Sequence, residues 1–294
     1  MTNPTFDLQS HSIHSDGALP AREVVQRAAQ AGVELLALSD HDTVDGVDEA
    51  LATAAGIGGI EVVPAVEISS VQAEYEDLHI LGYRIDHHDE HLQEQLKLYR
   101  GDREARAGRM QHALEELGWQ IDESVLQQRA RAGKPIGRPH LSQAAFNHPA
   151  NRDRIEEEGF ETFSDLLVAY LIPGAPAYRA RTFPTVQEAI DLIHAAGGVA
   201  IWAHPFWDIK ADPAVLDTVD RFTEMGIDGV EVFYVAHTKE QTLLLADHCE
   251  RSGLLMTGSA DFHGPEHSHF SAFRAFDLHG RTPRLGPIQS AASR

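Results

Sequence analysis

Cysteine is nearly absent from this sequence, which has Cys249 alone among its 294 residues. A single cysteine excludes an internal disulfide framework and a cysteine-rich zinc site, and it is typical of proteins from a reducing compartment. The sequence also lacks a charged-then-apolar segment at its start and any apolar run near the ~20 residues that span a bilayer. We therefore expect a soluble, cytoplasmic protein with no membrane partner.

Positive charge is also scarce. The chain has 24 Lys and Arg against 45 Asp and Glu, which gives a formal net charge of −21. A long nucleic-acid duplex is bound through many phosphates, so such a chain would mostly repel it. The charge balance therefore argues against a long duplex as partner. It leaves open a small anion that binds in a locally positive or metal-bearing pocket.

Histidine, in contrast, is abundant, with 18 residues. Short apolar segments such as LLAL (35–38), VAIWA (199–203) and LLMTGSA (254–260) alternate with segments of helical periodicity. This alternation favours parallel strands in an α/β sheet or barrel, in which active sites lie at the carboxyl ends of the strands. Histidine, aspartate and glutamate recur at or just past those predicted ends.

Eight imidazole or carboxylate side chains are therefore candidate metal ligands. They are His11, Asp16, His41, Glu67, His79, His204, Asp261 and His263. A metal site needs several such donors that converge. Because eight exceed what one first-row ion usually takes from a protein, we predict a multinuclear site. Donors of this type fit Mn²⁺, Zn²⁺ or Fe²⁺ and do not choose among them.

Residues 87–183 break the alternation. They begin with a long charged helical pattern and continue through GKPIGRPHL (133–141) and LIPGAPAY (171–178). We interpret this segment as a mainly helical insertion that covers the active site. Residues 1–86 and 184–282 would then form the metal-binding barrel, and residues 283–294 a weakly ordered tail.

Five motifs, in order between residues 7 and 264, resemble those of one protein family. They are DLQSHSIHSDG, LSDHDTVDG, VEIS with His79 downstream, WAHP and GSADFHG. The family is that of the PHP (polymerase and histidinol phosphatase) domain metallo-phosphoesterases, which are amidohydrolase-like. The resemblance implies a distorted (β/α)7 barrel with a mainly helical insertion. It also implies hydrolysis of a phosphate ester by a metal-bound hydroxide.

The resemblance also implies the metal ions and their ligands. By position in the family motifs, the ligand groups are His11, Glu67 and Asp261; Glu67, His79 and His204; and Asp16, His41 and His263. The family usually has histidine at position 9, where this chain has Gln9. A neutral amide oxygen is a weaker donor than imidazole, so we predict a weak or lost ligand for the first ion. We expect two to three divalent ions, with Mn²⁺ favoured over Zn²⁺ or Fe²⁺.

Substrate contacts beyond the ions are expected from cations and hydrogen-bond donors. The candidates are Lys134, Arg138, His140, Tyr178, Arg179, Arg181, Tyr234 and His237. Arginine can bind a phosphate through paired N–H donors. The alternative for the basic groups is a solvated basic loop.

The segments GRPHL (137–141), PAY (176–178) and YVAHT (234–238) fit a branch of small members of the family. That branch contains a 3′,5′-nucleotide bisphosphate phosphatase and an enzyme that trims short RNA from its 5′ end. We therefore expect a phosphatase that removes the 3′-phosphate from nucleoside 3′,5′-bisphosphates, for example converting adenosine 3′,5′-bisphosphate to AMP. The alternatives are a 5′-3′ exonuclease on short RNA or DNA, and a degenerate domain that binds metal or nucleotide without hydrolysis. A histidinol phosphatase fits less well.

Overall fold

The structure is a computed structural model that describes residues 4–73, 75–131, 136–181 and 183–289. The chain divides into two compact units. The barrel unit comprises Met1–Lys97 with Phe183–Arg294, and the helical unit comprises Leu98–Thr182.

The barrel unit is built on one sheet, to which the described residues contribute seven strands that neighbour one another in chain order. The strands are β1 (Phe6–Asp7), β2 (Leu35–Leu38), β3 (Glu61–Gln72), β4 (Tyr75–Tyr83), β5 (Val199–Trp202), β6 (Gly229–Tyr234) and β7 (Leu255–Ser259). The sheet curls back on itself, since the Leu8 amide donates to Gly258 O at 3.2 Å and Ser10 bridges Phe262 in parallel. This nearly closed barrel confirms the predicted distorted (β/α)7 architecture.

Helices fill the connections between strands and make up most of the helical unit. In chain order they are α1 (Ala21–Gln30), α2 (Val47–Ile57), α3 (Glu90–Glu116), α4 (Glu123–Arg131), α5 (Arg138–Phe146), α6 (Arg152–Glu158), α7 (Phe163–Tyr170), α8 (Val186–Ala195), α9 (Pro205–Asp208), α10 (Asp212–Glu224) and α11 (Lys239–Ser252). Each barrel helix buries one apolar face, as Val24 and Ala28 of α1 do beside Leu36 of β2. Of the helices described, none is both long and apolar enough to cross a bilayer.

Strand β4 departs from the sequence prediction. It pairs antiparallel with both β3 and β5, whereas β1–β2, β2–β3, β5–β6 and β6–β7 are parallel. The prediction of parallel strands is therefore wrong here. Only two residues separate Gln72 from Tyr75, and so short a connection can return the chain only as a hairpin.

The hairpin also changes where two of the candidate ligands lie. Because β3 continues to Gln72, Glu67 lies inside that strand, and His79 lies inside β4 opposite Ser69. The prediction that both follow strand ends is therefore wrong, although both still lie on one face of the hairpin.

The helical unit has its own core, in which Trp119, Leu141 and Leu166 are buried together. Tyr170 packs edge-on against Trp119 at 5.3 Å, and the Arg154 guanidinium lies 4.1 Å from the Trp119 ring centroid. A mainly helical insertion was predicted, and the unit is helical. Its placement over the active site stays a prediction.

The predicted weakly ordered tail, residues 283–294, is wrong for its first part. Arg284 O accepts from the Met256 amide at 2.9 Å, and Ile288 O accepts from Arg84 Nη2 at 2.8 Å. Ile288 itself is fully buried. Residues 283–289 therefore pack on the barrel despite their glycine and proline, while 290–294 lie outside the described residues.

Candidate metal centre

The loop after β1 is held in shape by Asp40, which follows β2. One oxygen of Asp40 accepts from the Ser12 amide at 2.7 Å and from the Ser15 hydroxyl at 2.6 Å, and the other accepts from the Ser12 hydroxyl at 2.6 Å. The turn closes through Gly17, where an added Cβ would lie 2.2 Å from His11 O. DLQSHSIHSDG therefore folds into a tight loop that carries His11 and Asp16.

Glu67 lies at the middle of the candidate site and is fully buried. Its Oε2 lies 3.1 Å from His11 Nε2, and its Oε1 lies 2.7 Å from His79 Nδ1 and 3.2 Å from His204 Nε2. His41 Nδ1 lies 3.5 Å from Oε2. One carboxylate is therefore surrounded by imidazoles from four separate segments of the chain.

The two aspartates extend this arrangement. Asp261 Oδ1 lies 3.1 Å from His11 Nε2, and Asp16 lies 3.4 Å from His263 Nε2 and 3.5 Å from His41 Nε2. The candidate ligands with donor atoms within 4.8 Å of one another form three groups: His11, Glu67 and Asp261; His41, Glu67 and His79; and His11, Asp16, His41 and His263. His204 lies beside the second group, 3.3 Å from His79 Nδ1. The structure thus brings all eight predicted ligands together.

Several of these donor atoms are not used in hydrogen bonds. In the part of the chain that the structure describes, His11 Nε2, His41 Nδ1, His204 Nδ1 and Asp261 Oδ1 are buried without a hydrogen-bond partner. Buried polar atoms are nearly always satisfied, so such a group points to a ligand that the protein itself does not supply. The donor set, imidazole nitrogens with carboxylate oxygens, fits divalent transition ions. The residues present therefore fit a multinuclear metal centre.

Backbone strain accompanies the site. His204 and Asp261 adopt φ values of 31° and 53°, a region that is uncommon for residues other than glycine. Such conformations persist only where the surrounding structure holds them, and they cluster at functional sites. The strain therefore falls on two of the candidate ligands.

The imidazoles of the site differ in pKa. Burial alone would lower the pKa of His204, but the hydrogen bond and charge of Glu67 outweigh it and raise the pKa to about 9. For His41 burial dominates and lowers the pKa to about 4. At neutral pH and without ions, His204 is thus protonated while His41 is neutral.

Glu231, on β6, is a supporting residue that the sequence analysis missed. One of its oxygens accepts from the His204 amide at 2.9 Å, and the other accepts from the Ser259 hydroxyl at 2.6 Å. Burial raises the pKa of Glu231 to about 8. An acidic residue within the otherwise apolar strand GVEVFY was the signal that could have revealed it.

Gln9 lies inside the centre and is almost fully buried. Its Nε2 donates to Glu67 Oε2 at 3.0 Å, and its Oε1 accepts from the Ser259 hydroxyl at 3.3 Å. In this arrangement the amide is a donor to Glu67. Its role as a weak or lost metal ligand stays a prediction.

Two of the predicted substrate contacts belong to the barrel unit. The Tyr234 hydroxyl donates to Asp261 Oδ2 at 2.9 Å, so Tyr234 supports a candidate ligand. His237 donates from Nδ1 to Val232 O at 3.1 Å, and burial lowers its pKa to about 4. Both side chains therefore already have structural roles.

The other predicted substrate contacts belong to the helical unit. Arg138 begins α5, and His140 Nδ1 accepts from the Gly137 amide at 3.0 Å, which caps the same helix. Tyr178 accepts from Arg106 at 3.1 Å. Arg179 donates to backbone carbonyls, Arg181 is buried, and Lys134 lies outside the described residues. Contact of these residues with substrate stays a prediction.

Known proteins similar to this chain identify its family. The model of the PHP domain family matches residues 7–172. A 5′-3′ exoribonuclease of Haemophilus influenzae is 33% identical over 88% of this chain and 90% of its own length. A 3′,5′-nucleoside bisphosphate phosphatase of Chromobacterium violaceum is 32% identical over 88% and 87%.

A solved structure is similar to this chain as well. A proposed metal-dependent phosphoesterase of Bifidobacterium adolescentis has a TM-score of 0.72 and 28% identity, and the match covers 91% of each chain. The barrel, the clustered ligands and these relatives together define a metal-dependent phosphoesterase. Within that class, this chain belongs to the PHP domain family.

Replacing Asp40 by asparagine tests whether the loop after β1 depends on it. We expect D40N to bind divalent ions about 10- to 100-fold more weakly, the usual effect of losing a residue that orients ligands. Titration calorimetry with Mn²⁺ measures this, with the exposed Asp45→Asn as the matched control. Equal affinities in the two variants would show that the loop keeps its shape without Asp40.

Metal uptake should release protons at neutral pH. Ions bind neutral imidazole, and the pKa of His204 is raised to about 9, so an ion must displace its proton. Affinity should therefore rise with pH from neutrality to about 9, as the proton on His204 is lost. Calorimetry in two buffers of different ionisation enthalpy counts the protons. An affinity that does not change over this range would contradict the assignment.

Proposed function

We propose that this phosphoesterase removes the 3′-phosphate from nucleoside 3′,5′-bisphosphates, for example converting adenosine 3′,5′-bisphosphate to AMP. The observation that carries the proposal is the convergence of eight candidate ligands, Glu67 among them, in a PHP-family barrel. The substrate is suggested by the similarity to the Chromobacterium violaceum phosphatase.

The ligand roles belong to this proposal. Two to three divalent ions, with Mn²⁺ favoured and Zn²⁺ or Fe²⁺ as alternatives, would be held by His11, Asp16, His41, Glu67, His79, His204, Asp261 and His263. Bound divalent ions activate water for attack on phosphorus and neutralise charge on the phosphoryl oxygens. The positive charge of the ions would also allow a chain of net charge −21 to accept an anionic substrate.

The protein's own groups hold these ligands in place. Asp40 fixes the loop of His11, Tyr234 holds Asp261, and Glu231 holds the backbone of His204. Positioning of this kind keeps the ligands in one geometry while substrate binds and product leaves. The proposal also includes the predicted substrate contacts of the helical unit, among them Arg138 and Arg179, which would bind phosphate.

A second candidate is a 5′-3′ exonuclease on short RNA. The similarity to the Haemophilus influenzae exoribonuclease, at 33% identity, favours it. Short oligonucleotides carry few phosphates, so the net negative charge opposes them less than it opposes a long duplex. A degenerate, non-hydrolysing domain is disfavoured because eight of the nine ligand positions keep imidazole or carboxylate.

Phosphate release with Mn²⁺ tests the proposal. We expect rapid conversion of adenosine 3′,5′-bisphosphate to AMP, lost on chelation and restored by adding the ion back. A short 5′-phosphorylated RNA is the comparison substrate, and metal content is measured on the same preparation. Faster release of nucleotides from RNA would favour the exonuclease, and inactivity of metal-loaded protein on both substrates would refute both.

Replacing Gln9 by histidine tests the weak first ion. We expect Q9H to bind one ion at least about tenfold more tightly, because imidazole is a stronger metal ligand than an amide oxygen. The expected change in affinity is similar to that seen when a residue that orients a metal ligand is altered. Metal stoichiometry and affinity by titration calorimetry are the readouts. Gln9→Asn is the matched control, since it shortens the amide that donates to Glu67 without adding imidazole. Equal affinities in Q9H and the unchanged protein would show that Gln9 does not limit the site.

A further inference from the structure

Trp207 is the tryptophan that solvent reaches. The chain has three tryptophans, of which Trp119 and Trp202 are 0% and 1% exposed, while Trp207 is 47% exposed. It lies on the short helix α9, and its amide donates to His204 O at 2.8 Å. An indole ring is therefore displayed three residues after a candidate metal ligand.

Trp207 packs against a second aromatic ring. Phe270 is 8% exposed, and its centroid lies 5.7 Å from that of Trp207 and 5.5 Å from that of His263. The aromatic contacts thus run without interruption from the exposed indole to the metal centre. Trp207 is thus separated from the candidate ligand His263 by one intervening ring, that of Phe270.

Hydrogen bonds within the segment from His263 to Phe270 close it into a loop. The His263 amide donates to Phe270 O at 2.9 Å, and the Phe270 amide donates to His267 Nδ1 at 3.1 Å. The His267 ring also stacks on Phe270 at 5.0 Å. The Phe270 ring is therefore held in place before any ligand binds, which lowers the entropy lost on binding.

A positive charge lies beside the indole. Lys210 Nζ lies 5.8 Å from the Trp207 ring centroid and donates to Phe206 O at 3.1 Å. Asp208 lies close enough for its charge to interact with that of Lys210, so the two charges beside the indole partly offset one another. The exposed ring can therefore accept the planar part of a ligand whose phosphate is bound elsewhere, and a nucleotide has such a planar part.

We propose that Trp207, supported by Phe270, is the surface on which the base of the substrate stacks while its phosphate lies at the metal centre. The inference rests on the proposed function, and it adds a base-binding site and a reason to prefer nucleotides over other phosphate esters. Stacking tolerates any base, because every base has a π face. The site therefore recognises a base without choosing among bases.

Inhibition by AMP and by ribose 5-phosphate, which lacks the base, tests the proposal. We expect AMP to bind more tightly than ribose 5-phosphate, and Trp207→Ala to weaken AMP by about 5- to 150-fold, the fold-change that corresponds to one stacked base. Trp207→Phe should keep part of this preference. Ile57→Ala is the matched control, because it also removes an exposed apolar side chain. Ile57 is the last residue of α2, at the end of the helix that is farther along the chain from the loop after β2.

Tryptophan fluorescence gives a second readout that does not depend on turnover. Because Trp119 and Trp202 are buried, quenching by acrylamide reports mainly on Trp207. AMP should protect Trp207 from the quencher and ribose 5-phosphate should not. Protection by a short RNA but not by AMP would support the stacking surface and identify an RNA end as its ligand.

The two proposals fail in different ways. Equal affinity for AMP and ribose 5-phosphate, with no change in Trp207→Ala, would overturn the stacking surface even where metal-dependent phosphate release is present. Absence of that release from metal-loaded protein would overturn the proposed function itself, whatever the fluorescence shows.

Discussion

The buried carboxylate of Glu67 must be surrounded by charges or hydrogen-bond donors, and the rest of the barrel supplies them. A carboxylate removed from water is costly unless charges or hydrogen-bond donors surround it. His11, His79 and His204 meet this need from the loop after β1, from β4 and from the end of β5. These segments must therefore meet at one place, and the nearly closed sheet is what brings them there.

The same requirement explains the strained residues around the centre. His204 and Asp261 have positive φ values, and each lies two residues past the end of a strand, β5 and β7 respectively. Glu231 and Tyr234 hold those two residues through a backbone amide and a carboxylate. The barrel thus stabilises conformations that an isolated strand end would not adopt.

The sequence predicted the α/β architecture and the side chains that cluster around Glu67 because both depend on local patterns. Apolar runs that end in His, Asp or Glu are visible without tertiary contacts, as in LSDHD and WAHP. Asp40 and Glu231 were missed because they act through hydrogen bonds to residues 25 or more positions away. The direction of β4 was missed because apolar periodicity gives no strand direction. The packed segment 283–289 was missed because its composition resembles that of a loop.

The antiparallel hairpin of β3 and β4 fixes the spacing of Glu67 and His79 by strand register. Ser69 faces His79 and Glu67 faces Leu81, so the two ligands are diagonal neighbours on one face. Side chains alternate between faces along a strand, so sliding β4 by one residue would turn His79 to the opposite face. Insertions and deletions within the paired parts of β3 and β4 between Glu67 and His79 should therefore be rare over evolutionary time unless a bulge absorbs them. The pairing is already irregular between Ser70 and Gln72.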